Sequence, residues 1–265
     1  MPEVDSQLDA DTKLFYLNAM HVLDESGVDY LVGGAYSLAH LAGVVRHTKD
    51  FDVFVRKGDE LHALGALQNW GCRTELTFPH WLGKAYQRDS DAFVDVIFGS
   101  GNGLCPVDDD WFEHAVRGRV FDRDALLVPA EEVIWTKAFI QERERFDGAD
   151  IAHVIWSQAD MIDWERLLRR FRGHEQVLLA HLLLFTYVYP GERRKVPQRI
   201  IERLYEKVRS QPPATEKICQ GTFISREQYL MDLRDRGYVD ARIEPRGPMA
   251  ANEVLQWTAA IGNIK

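Results

Sequence analysis

The chain is 265 residues long, with 46% hydrophobic and 11% aromatic residues, enough to bury a sizeable core in one large domain or two smaller ones. Its three cysteines are far apart and form no CxxC or Cys/His zinc pattern, which indicates a reducing, cytoplasmic compartment rather than a disulfide framework. The polar N-terminus does not resemble a signal peptide, and the longest nearly apolar run, Val177 to Tyr189, is too short to span a bilayer, so we expect a soluble protein with no membrane partner.

The formal charge of −9 is concentrated in the first 110 residues, which hold eight basic and eighteen acidic side chains. The remaining residues are nearly balanced, with twenty-four basic and twenty-three acidic side chains. An acidic first part attracts divalent cations and repels the phosphates of nucleic acids. A long anionic partner is therefore expected to lie against the C-terminal part.

The first part of the chain is predicted to form a mixed β-sheet flanked by helices, because turn residues separate segments with helical or alternating patterns. The predicted helices run from Asp11 or Thr12 to Ser26, over 35–42 and over 58–71. The predicted strands are 30–32, 51–55, 84–88 and 93–98, with a further pair at 116–121 and 126–128. A turn at 89–91 joins the third and fourth of these strands, and 99–103 is interpreted as a loop.

The second part is predicted to be almost entirely helical, beginning with a proline and two acids at 129–132. The predicted helices are 130–145, 147–157, 163–172, 174–189 and 197–209, followed by a linker after Gln211 and a last helix over 225–236, in which Ser225 and Gln228 form a capping box. The predicted fold class is therefore α+β. The predicted domains are a sheet domain at 1–128, a helical domain at 129–210 and a C-terminal helical extension at 211–265.

Two aspartates, Asp50 and Asp52, lie two positions apart in one predicted strand. Side chains alternate faces along a strand, so both carboxylates point the same way while Phe51 and Val53 face the core. Paired carboxylates repel each other unless a cation lies between them. The alternative is an exposed strand edge with solvated acids.

A third acid, Asp95, lies in the apolar segment AFVDVIFG. An unpaired buried carboxylate is costly, so a partner is required. Beside the Asp50/Asp52 strand it would complete a three-carboxylate metal site; otherwise an arginine or a backbone N–H satisfies it.

A glycine pair, Gly33 and Gly34, opens the helix that precedes the aspartate strand. Backbone N–H groups at such a helix start can bind a phosphate, and Ser37 would lie near enough to add a hydrogen bond. Arg46 and Lys49, just before the aspartates, would neutralise triphosphate charge or simply balance the acids.

The combination of Gly-Gly, a spacer and Asp-Phe-Asp on a strand resembles the nucleotidyltransferase superfamily with the DNA-polymerase-β-type catalytic core. The segment RHTKDFD resembles the branch that contains the AbiEii-like abortive-infection toxins, some of which modify tRNA ends. The strict motif covers about a tenth of the chain, and a weaker likeness continues through Asp95 to Lys137 and RFDGAD at 145–150.

This resemblance implies that Asp50, Asp52 and Asp95 hold Mg²⁺, normally two ions, with Mn²⁺ as a substitute. It further implies a helical lysine that reaches the triphosphate, for which Lys137 is the candidate, and a later functional aspartate. Asp147 and Asp150 both fit that last role, and two other readings remain open: Asp147 as a helix N-cap, and Arg145 paired with Asp150.

The implied activity is transfer of an NMP from an NTP to an acceptor hydroxyl on RNA such as a tRNA end, on a protein or on a small molecule. A toxin role would belong to the RNA acceptor and would bring an antitoxin partner. A non-catalytic nucleotide sensor or interaction protein on the same fold is the alternative from another class. A metal-dependent phosphohydrolase fits the carboxylates but leaves the glycine pair and the helical half unexplained.

Overall fold

The computed structural model describes residues 8–46, 48 and 50–260. The chain divides into two compact units, Met1–Pro129 and Ala130–Lys265. The first unit contains a mixed seven-stranded sheet with helices and the second is largely helical, so the predicted α+β fold class is confirmed.

The first unit has four helices and seven strands among its described residues. The helices are α1 (Ala10–Ser26), α2 (Gly34–Ala42), α3 (Glu60–Trp70) and α4 (Asp109–Glu113). The strands are β1 (Leu31–Val32), β2 (Asp50–Phe54), β3 (Arg73–Phe78), β4 (Leu82–Tyr86), β5 (Phe93–Ile97), β6 (Val116–Val120) and β7 (Arg123–Leu127). They form one sheet in the order β3-β4-β5-β2-β1-β7-β6.

Strand pairing in this sheet is mixed. β2 lies between β5, to which it runs parallel, and β1, to which it runs antiparallel. β4 pairs antiparallel with both β3 and β5, and β1 pairs parallel with β7. The central position of β2 places its side chains in the middle of the sheet.

One face of the sheet forms the hydrophobic core with α1 and α3. Alternate residues of β2, Phe51 and Val53, are completely buried there, and the Tyr16 ring of α1 stacks on Phe51 with centroids 4.9 Å apart. The same alternation along β2 sends the aspartates to the opposite face. On that face α4 covers the sheet beside Phe54, whose ring stacks on the buried Trp111 at 5.4 Å.

The sequence prediction missed β3 and α4. Most of the β3 side chains are exposed or half-buried, because β3 is an edge strand, so its sequence RTELTF shows no strong apolar alternation. The helix α4 has only five residues, too few for a helical period to be recognised.

The second unit contains eight helices, a 3₁₀ turn and a two-stranded sheet among its described residues. The helices are α5 (Ala130–Ala138), α6 (Gly148–Gln158), α7 (Trp164–Arg170), α8 (Glu175–Val188), α9 (Gln198–Arg209), α10 (Gly221–Ile224), α11 (Leu230–Asp235) and α12 (Ala251–Ala259). The 3₁₀ turn is Pro190–Lys195, and the strands are β8 (Ile218–Cys219) and β9 (Val239–Asp240), which run parallel.

Two predicted helices need correction. The helix predicted over 130–145 ends at Ala138, because the chain then turns back on itself through a bridge between Gln141 and Phe146. The helix predicted over 225–236 begins only at Leu230. The Ser225 Oγ does accept the Gln228 N–H at 3.2 Å, but the Gln228 side chain donates to the Gln141 carbonyl oxygen at 3.2 Å, so the pair stabilises a turn and not a helix start.

Over residues 8–46, 48 and 50–260, none of the helices combines the length and the apolar character that crossing a bilayer requires.

Candidate active site

Two of the three predicted acids lie side by side in the sheet. In the parallel β2–β5 ladder, Asp52 is the direct partner of Asp95, so their side chains share one face. Asp50 lies two residues before Asp52 on the same strand and points to that face as well. The sheet therefore brings three carboxylates to one surface, opposite the hydrophobic core.

A lysine that the sequence reading did not consider, Lys84 of β4, is the partner of Asp95 on its other side. Its Nζ lies 2.6 Å from the Asp95 Oδ1, and the two side chains are only 20% and 14% exposed. Burial raises the pKa of Asp95, the Lys84 ammonium group opposes that rise, and the charge of Asp50 adds to it. Lys84 is thus the partner that a buried Asp95 requires.

The sequence did contain a signal for this pair. The turn predicted at 89–91 joins the two strands on either side of it, and an antiparallel hairpin closed there pairs Tyr86 with Phe93 and Lys84 with Asp95.

The predicted acids have the donor chemistry of a magnesium site, but they are not preassembled. Three carboxylates supply the hard oxygen ligands that Mg²⁺ prefers, and the ammonium group at Asp95 shows that this carboxylate accepts a cation. The carboxylate oxygens of Asp50, Asp52 and Asp95 do not all lie within 4.8 Å of one another. The physical reason is that like charges repel and that Lys84 holds Asp95 on the β4 side.

The ligand atoms of another group, Asp110, Glu113 and His114 of α4 and its C-cap, do lie within 4.8 Å of one another. Glu113 and His114 are exposed, and the His114 Nδ1 is 3.3 Å from the Asp110 Oδ1. Such solvated groups on a short helix are common without a metal ion, so we assign no metal centre to them.

The glycine pair lies directly against Asp52. The Gly33 N–H donates to the Asp52 carbonyl oxygen at 3.0 Å, and Gly34 has a φ of +55° as the first residue of α2. A Cβ at Gly34 would overlap the Asp52 Oδ2, and one at Gly33 would overlap the Phe54 ring. Glycine is therefore needed at both positions for steric reasons, and among the described residues no side chain caps the start of α2.

The substitution Gly34→Ala is expected to lower the rate of the nucleotidyl transfer that the motif implies by roughly 10- to 100-fold. The reason is that the added Cβ must displace the Asp52 carboxylate by a large part of an ångström. Gly43→Ala is the matched control. Gly43, at the other end of α2, has a φ of +67°, and a Cβ there would meet nothing within 4 Å.

Both substitutions carry the same backbone cost of about 1–2 kcal/mol for a left-handed conformation, and only Gly34→Ala adds the overlap with Asp52, so thermal denaturation should show the larger loss of stability in that variant. Steady-state rates should separate the two variants. Equal rates in Gly34→Ala and Gly43→Ala would show that contact with Asp52 is unimportant.

Ser37 requires a correction. Its side chain is completely buried, and its hydroxyl donates to the Val128 carbonyl oxygen at 2.9 Å. The hydroxyl therefore joins α2 to the end of β7 and is not exposed to a phosphate. The neighbouring Tyr36 is likewise buried against the Phe51 and Phe121 rings, with centroids 5.5 and 5.1 Å away.

The two predicted cations before β2 can be placed only in part. Arg46 is exposed in the segment between α2 and β2, whereas Lys49 lies outside the described residues. Between them the Thr48 Oγ1 accepts the Asp50 N–H at 3.0 Å, which fixes the start of the aspartate strand.

The predicted residues of the second unit form a charge cluster of their own. The Lys137 Nζ of α5 lies 2.7 Å from the Asp147 Oδ2 and 2.8 Å from the Asp150 Oδ2, and these two carboxylates are only 9% and 2% exposed. Arg145 pairs with Asp147 through two hydrogen bonds of 3.1 and 3.0 Å, and its pairing with Asp150 stays a prediction. Burial raises the pKa of Asp147, but Arg145 and Lys137 more than offset it and hold the pKa below its ordinary value.

The reading of Asp147 as a side-chain N-cap is not supported. Asp147 occupies the N-cap position of α6, but its carboxylate makes no capping hydrogen bond there. Lys137 and Arg145 hold the carboxylate instead.

No family model matches the chain, and no curated protein matches it. Among solved structures, the chain is similar to the antibiotic-resistance factor ANT(2″)-Ia, with 14% identity, 66% of this chain and 98% of that chain covered, and a TM-score of 0.46. It is also similar to the lincosamide antibiotic adenylyltransferase LnuA, with 16% identity, 55% and 96% covered, and a TM-score of 0.39.

A third similar structure is an antigenic nucleotidyltransferase-like protein from Paracoccidioides brasiliensis, with 17% identity, 71% and 93% covered, and a TM-score of 0.43. An adenylyltransferase and a nucleotidyltransferase-like protein are thus among the structures that the chain is similar to. Membership of the AbiEii-like branch stays a prediction.

Proposed function

We propose that the protein is a metal-dependent nucleotidyltransferase, which moves an NMP from an NTP to an acceptor hydroxyl and releases pyrophosphate. The observation that carries this proposal is the in-register pair Asp52 and Asp95, with Asp50 on the same face and Gly34 packed against the Asp52 carboxylate. This arrangement places three carboxylates that can bind a cation next to a helix start that can bind a phosphate.

The triphosphate would lie on the Gly33–Gly34 side of Asp52. The uncapped N–H groups at the start of α2 and the helix dipole favour an anion there. Arg46 and Lys49, from the segment that enters β2, are the cations proposed to neutralise the remaining phosphate charge. Ser37 is not part of this proposal, because its hydroxyl is buried.

Asp50, Asp52 and Asp95 would hold the metal, two Mg²⁺ ions or Mn²⁺ in their place. When bound, these ions supply charge neutralisation at the triphosphate and at the attacking hydroxyl. The protein's own part is to position the reactants. The acceptor oxygen forms a bond to the α-phosphorus, the bond from that phosphorus to the bridging oxygen of pyrophosphate breaks, and the hydroxyl proton passes to the Asp95 carboxylate and on to water.

The second unit contributes two further proposals. Lys137 is the candidate lysine for the triphosphate, and Asp147 or Asp150 is the candidate functional aspartate. Because Lys137 is already held by both carboxylates, binding a phosphate would require it to give up at least one of these ion pairs. The aspartates would then hold and orient the lysine.

Three labelled-nucleotide outcomes distinguish the proposed enzyme from its alternatives. The protein is incubated with each NTP, labelled at the α- or the γ-phosphate, together with Mg²⁺ and total RNA or cell lysate. Transfer of the α-label with release of labelled pyrophosphate supports the proposal and identifies the acceptor as RNA, protein or small molecule. Tight NTP binding without transfer would support the sensor, and release of free γ-phosphate would support the hydrolase.

Removal of the metal is expected to abolish transfer. Excess EDTA should lower the rate to background, since the triphosphate and three carboxylates would otherwise repel each other, and added Mg²⁺ or Mn²⁺ should restore it. Transfer that persists in EDTA after exhaustive dialysis contradicts the assigned role of the acids.

If the acceptor is RNA, a toxin role becomes testable. In that case expression of the active protein, but not of an inactive variant, should arrest growth, and an antitoxin partner would be sought by its ability to relieve the arrest. A protein or small-molecule acceptor would contradict the toxin role.

A further inference from the structure

The sheet face that carries the acids continues past Asp95 towards the edge strand β3. Beside the row of Glu75, Lys84, Asp95 and Asp52 lies a second row, in which Arg73 of β3 pairs with Tyr86 of β4 and Tyr86 pairs with Phe93 of β5. The partner of Phe93 on the next strand is Asp50. We call Arg73, Tyr86 and Phe93 the aromatic strip.

The strip is held together by ring contacts. The Arg73 guanidinium carbon lies 4.0 Å from the centre of the Tyr86 ring, and the Tyr86 and Phe93 ring centres are 5.8 Å apart. The Lys84 Nζ lies 4.1 Å from the centre of the Phe93 ring while it also binds Asp95. One lysine thus joins the strip to the candidate active site.

Hydrogen bonds fix the orientation of the strip. The Tyr86 hydroxyl donates to the Glu75 Oε1 at 2.8 Å, and Arg73 Nη1 donates to the other carboxylate oxygen at 3.2 Å. Burial and the neighbouring Glu75 raise the pKa of Tyr86 to about 12, so the ring remains neutral at physiological pH. The rings are therefore preorganised by β4, β5 and the edge strand.

Tyr86 and Phe93 are nevertheless only half-buried, whereas their neighbours on the other face, Ala85 and Val94, are completely buried. Two adjacent, half-buried aromatic rings form a surface on which a planar ring can stack when Arg73 or Lys84 moves off the ring that it covers. Arg73 and Lys84 are already paired with Glu75 and Asp95, so a phosphate on the strip would have to draw Arg73 away from Glu75.

The position of the strip relative to the acids indicates which substrate it serves. Gly33 and Gly34 lie on the β1 side of Asp52, whereas the strip runs from Phe93, two residues before Asp95 on β5, outwards to β4 and β3. Strand spacing and rise place the backbone of Tyr86 roughly 8 Å from that of Asp95. If the triphosphate occupies the glycine side, the molecule on the strip is the acceptor, with its hydroxyl towards Asp95.

We propose that the aromatic strip is the acceptor subsite and that it binds a planar ring carried next to the reacting hydroxyl, as in a nucleoside. The role of the strip as an acceptor subsite rests on the proposed function. The binding of a planar ring to the strip does not. Stacking would supply the affinity, Arg73 would contact a phosphate, and Asp95 would meet the ribose hydroxyl. The ring belongs either to a free nucleoside or to the terminal nucleotide of a single-stranded RNA, and the two sources share this chemistry.

The test measures binding separately from transfer. Fluorescence anisotropy with a labelled oligoadenylate RNA gives the Kd, adenosine serves as a competitor, and steady-state assays give KM for the acceptor and for the NTP. Phe93→Leu and Tyr86→Leu are expected to weaken acceptor binding about tenfold or more, since stacking contributes about 1–3 kcal/mol per base. Phe93→Tyr keeps the ring and should retain binding, and the KM for the NTP should not change.

Trp70→Leu is the matched control. Trp70 is a half-exposed aromatic of α3, whose ring stacks on Phe15 at the opposite face of the sheet. Acceptor binding that falls equally in Trp70→Leu and Phe93→Leu, or that is unchanged in Phe93→Leu, overturns the subsite. A folding defect in Phe93→Leu would appear in its melting curve. In that case Phe93→Tyr and Tyr86→Leu test the subsite, which requires that the first retains acceptor binding and the second weakens it.

The two proposals can fail independently. Strip-dependent binding of the oligonucleotide or adenosine without transfer from any NTP would support the subsite and reject the nucleotidyltransferase. Transfer to an acceptor without a planar ring, at a rate that the strip variants do not alter, would support the enzyme and reject the subsite. Displacement of the labelled oligonucleotide by adenosine at a lower concentration than by unlabelled oligonucleotide would identify the free nucleoside as the source, and oligonucleotide binding that adenosine does not displace would identify RNA.

Discussion

Asp52→Asn is expected to reduce nucleotidyl transfer by about 10³-fold or more. The substitution keeps the shape of the side chain and removes one charge from the central acid of the site, which is the direct partner of Asp95 and lies against Gly34. A lost metal ligand removes several kcal/mol of transition-state stabilisation, and each 1.36 kcal/mol corresponds to about tenfold in rate. The measurement is the initial rate of α-label transfer at saturating Mg²⁺ and NTP.

Asp124→Asn provides the control for the same chemical change in the same sheet. Asp124 lies in β7 with its side chain 99% exposed and makes only a long ion pair of 3.9 Å with Arg119 among the contacts described. It should transfer at the wild-type rate, and both variants should melt close to the wild-type temperature. If Asp52→Asn retains a third or more of the wild-type rate, Asp52 is not a metal ligand.

Arg166→Met is expected to destabilise the second unit by about 3–5 kcal/mol, the cost of leaving a buried charge without its partner. Arg166 of α7 is 1% exposed, with its Nη1 2.9 Å from the Glu131 Oε2 and its Nη2 bonded to the completely buried Glu132. The Arg170 Nε also donates to Glu132, at 2.9 Å, so Glu132 keeps one cation, whereas the pair between Arg166 and the buried Glu131 is lost. The network joins α5 to α7.

Arg203→Met serves as the comparison, because Arg203 forms an ion pair of 2.6 Å with Glu165 in which both side chains are more than half exposed. An exposed pair contributes at most about 1 kcal/mol. A urea series with pulsed hydrogen exchange and mass spectrometry, following peptides of α5 and α7, isolates the second unit from the first. Equal midpoints in the two variants would show that the buried network contributes no more than a surface pair.

The loss of stability in Arg166→Met should also depend on pH. Burial raises the pKa of Glu132, and Arg166 and Arg170 oppose the rise, so removing Arg166 raises that pKa further. A carboxyl group whose pKa is higher in the folded state favours folding when it is protonated, and this contribution is lost as pH rises through the folded-state pKa. The deficit of the variant should therefore shrink as pH falls towards the ordinary value of 4.5.

Local patterns in the sequence were sufficient to predict the faces of the central strand. The alternation of Asp50, Phe51, Asp52 and Val53 fixes which residues enter the core, since only one register buries the apolar ones. Helix ends marked by glycine or an acid were also close to their observed positions: α1 begins after Asp9, which accepts the Thr12 N–H, and ends at Gly27.

Features that depend on distant partners were not predictable in the same way. Ser37 was expected to face a phosphate, but its rotation on α2 points it at Val128, ninety-one residues later. The role of Lys84 shows only in the register of the hairpin closed at 89–91, which places it beside Asp95. The segment after Ser225 has helical composition, yet Glu142 accepts hydrogen bonds from the Ser225 hydroxyl and the Arg226 N–H and holds it in a turn.

The two parallel pairings of the seven-stranded sheet set the order in which that sheet can form during synthesis on the ribosome. A nascent chain that ends before residue 93 contains both glycines and two of the three acids, but it has no β5 to place against β2. Strand β1 likewise waits for β7, because Val32 pairs with Leu127. Such long-range pairing closes late in folding. A fragment that ends before residue 93 therefore cannot bring the three carboxylates to one surface, and the seven-stranded sheet is complete only once nearly the whole first unit has emerged.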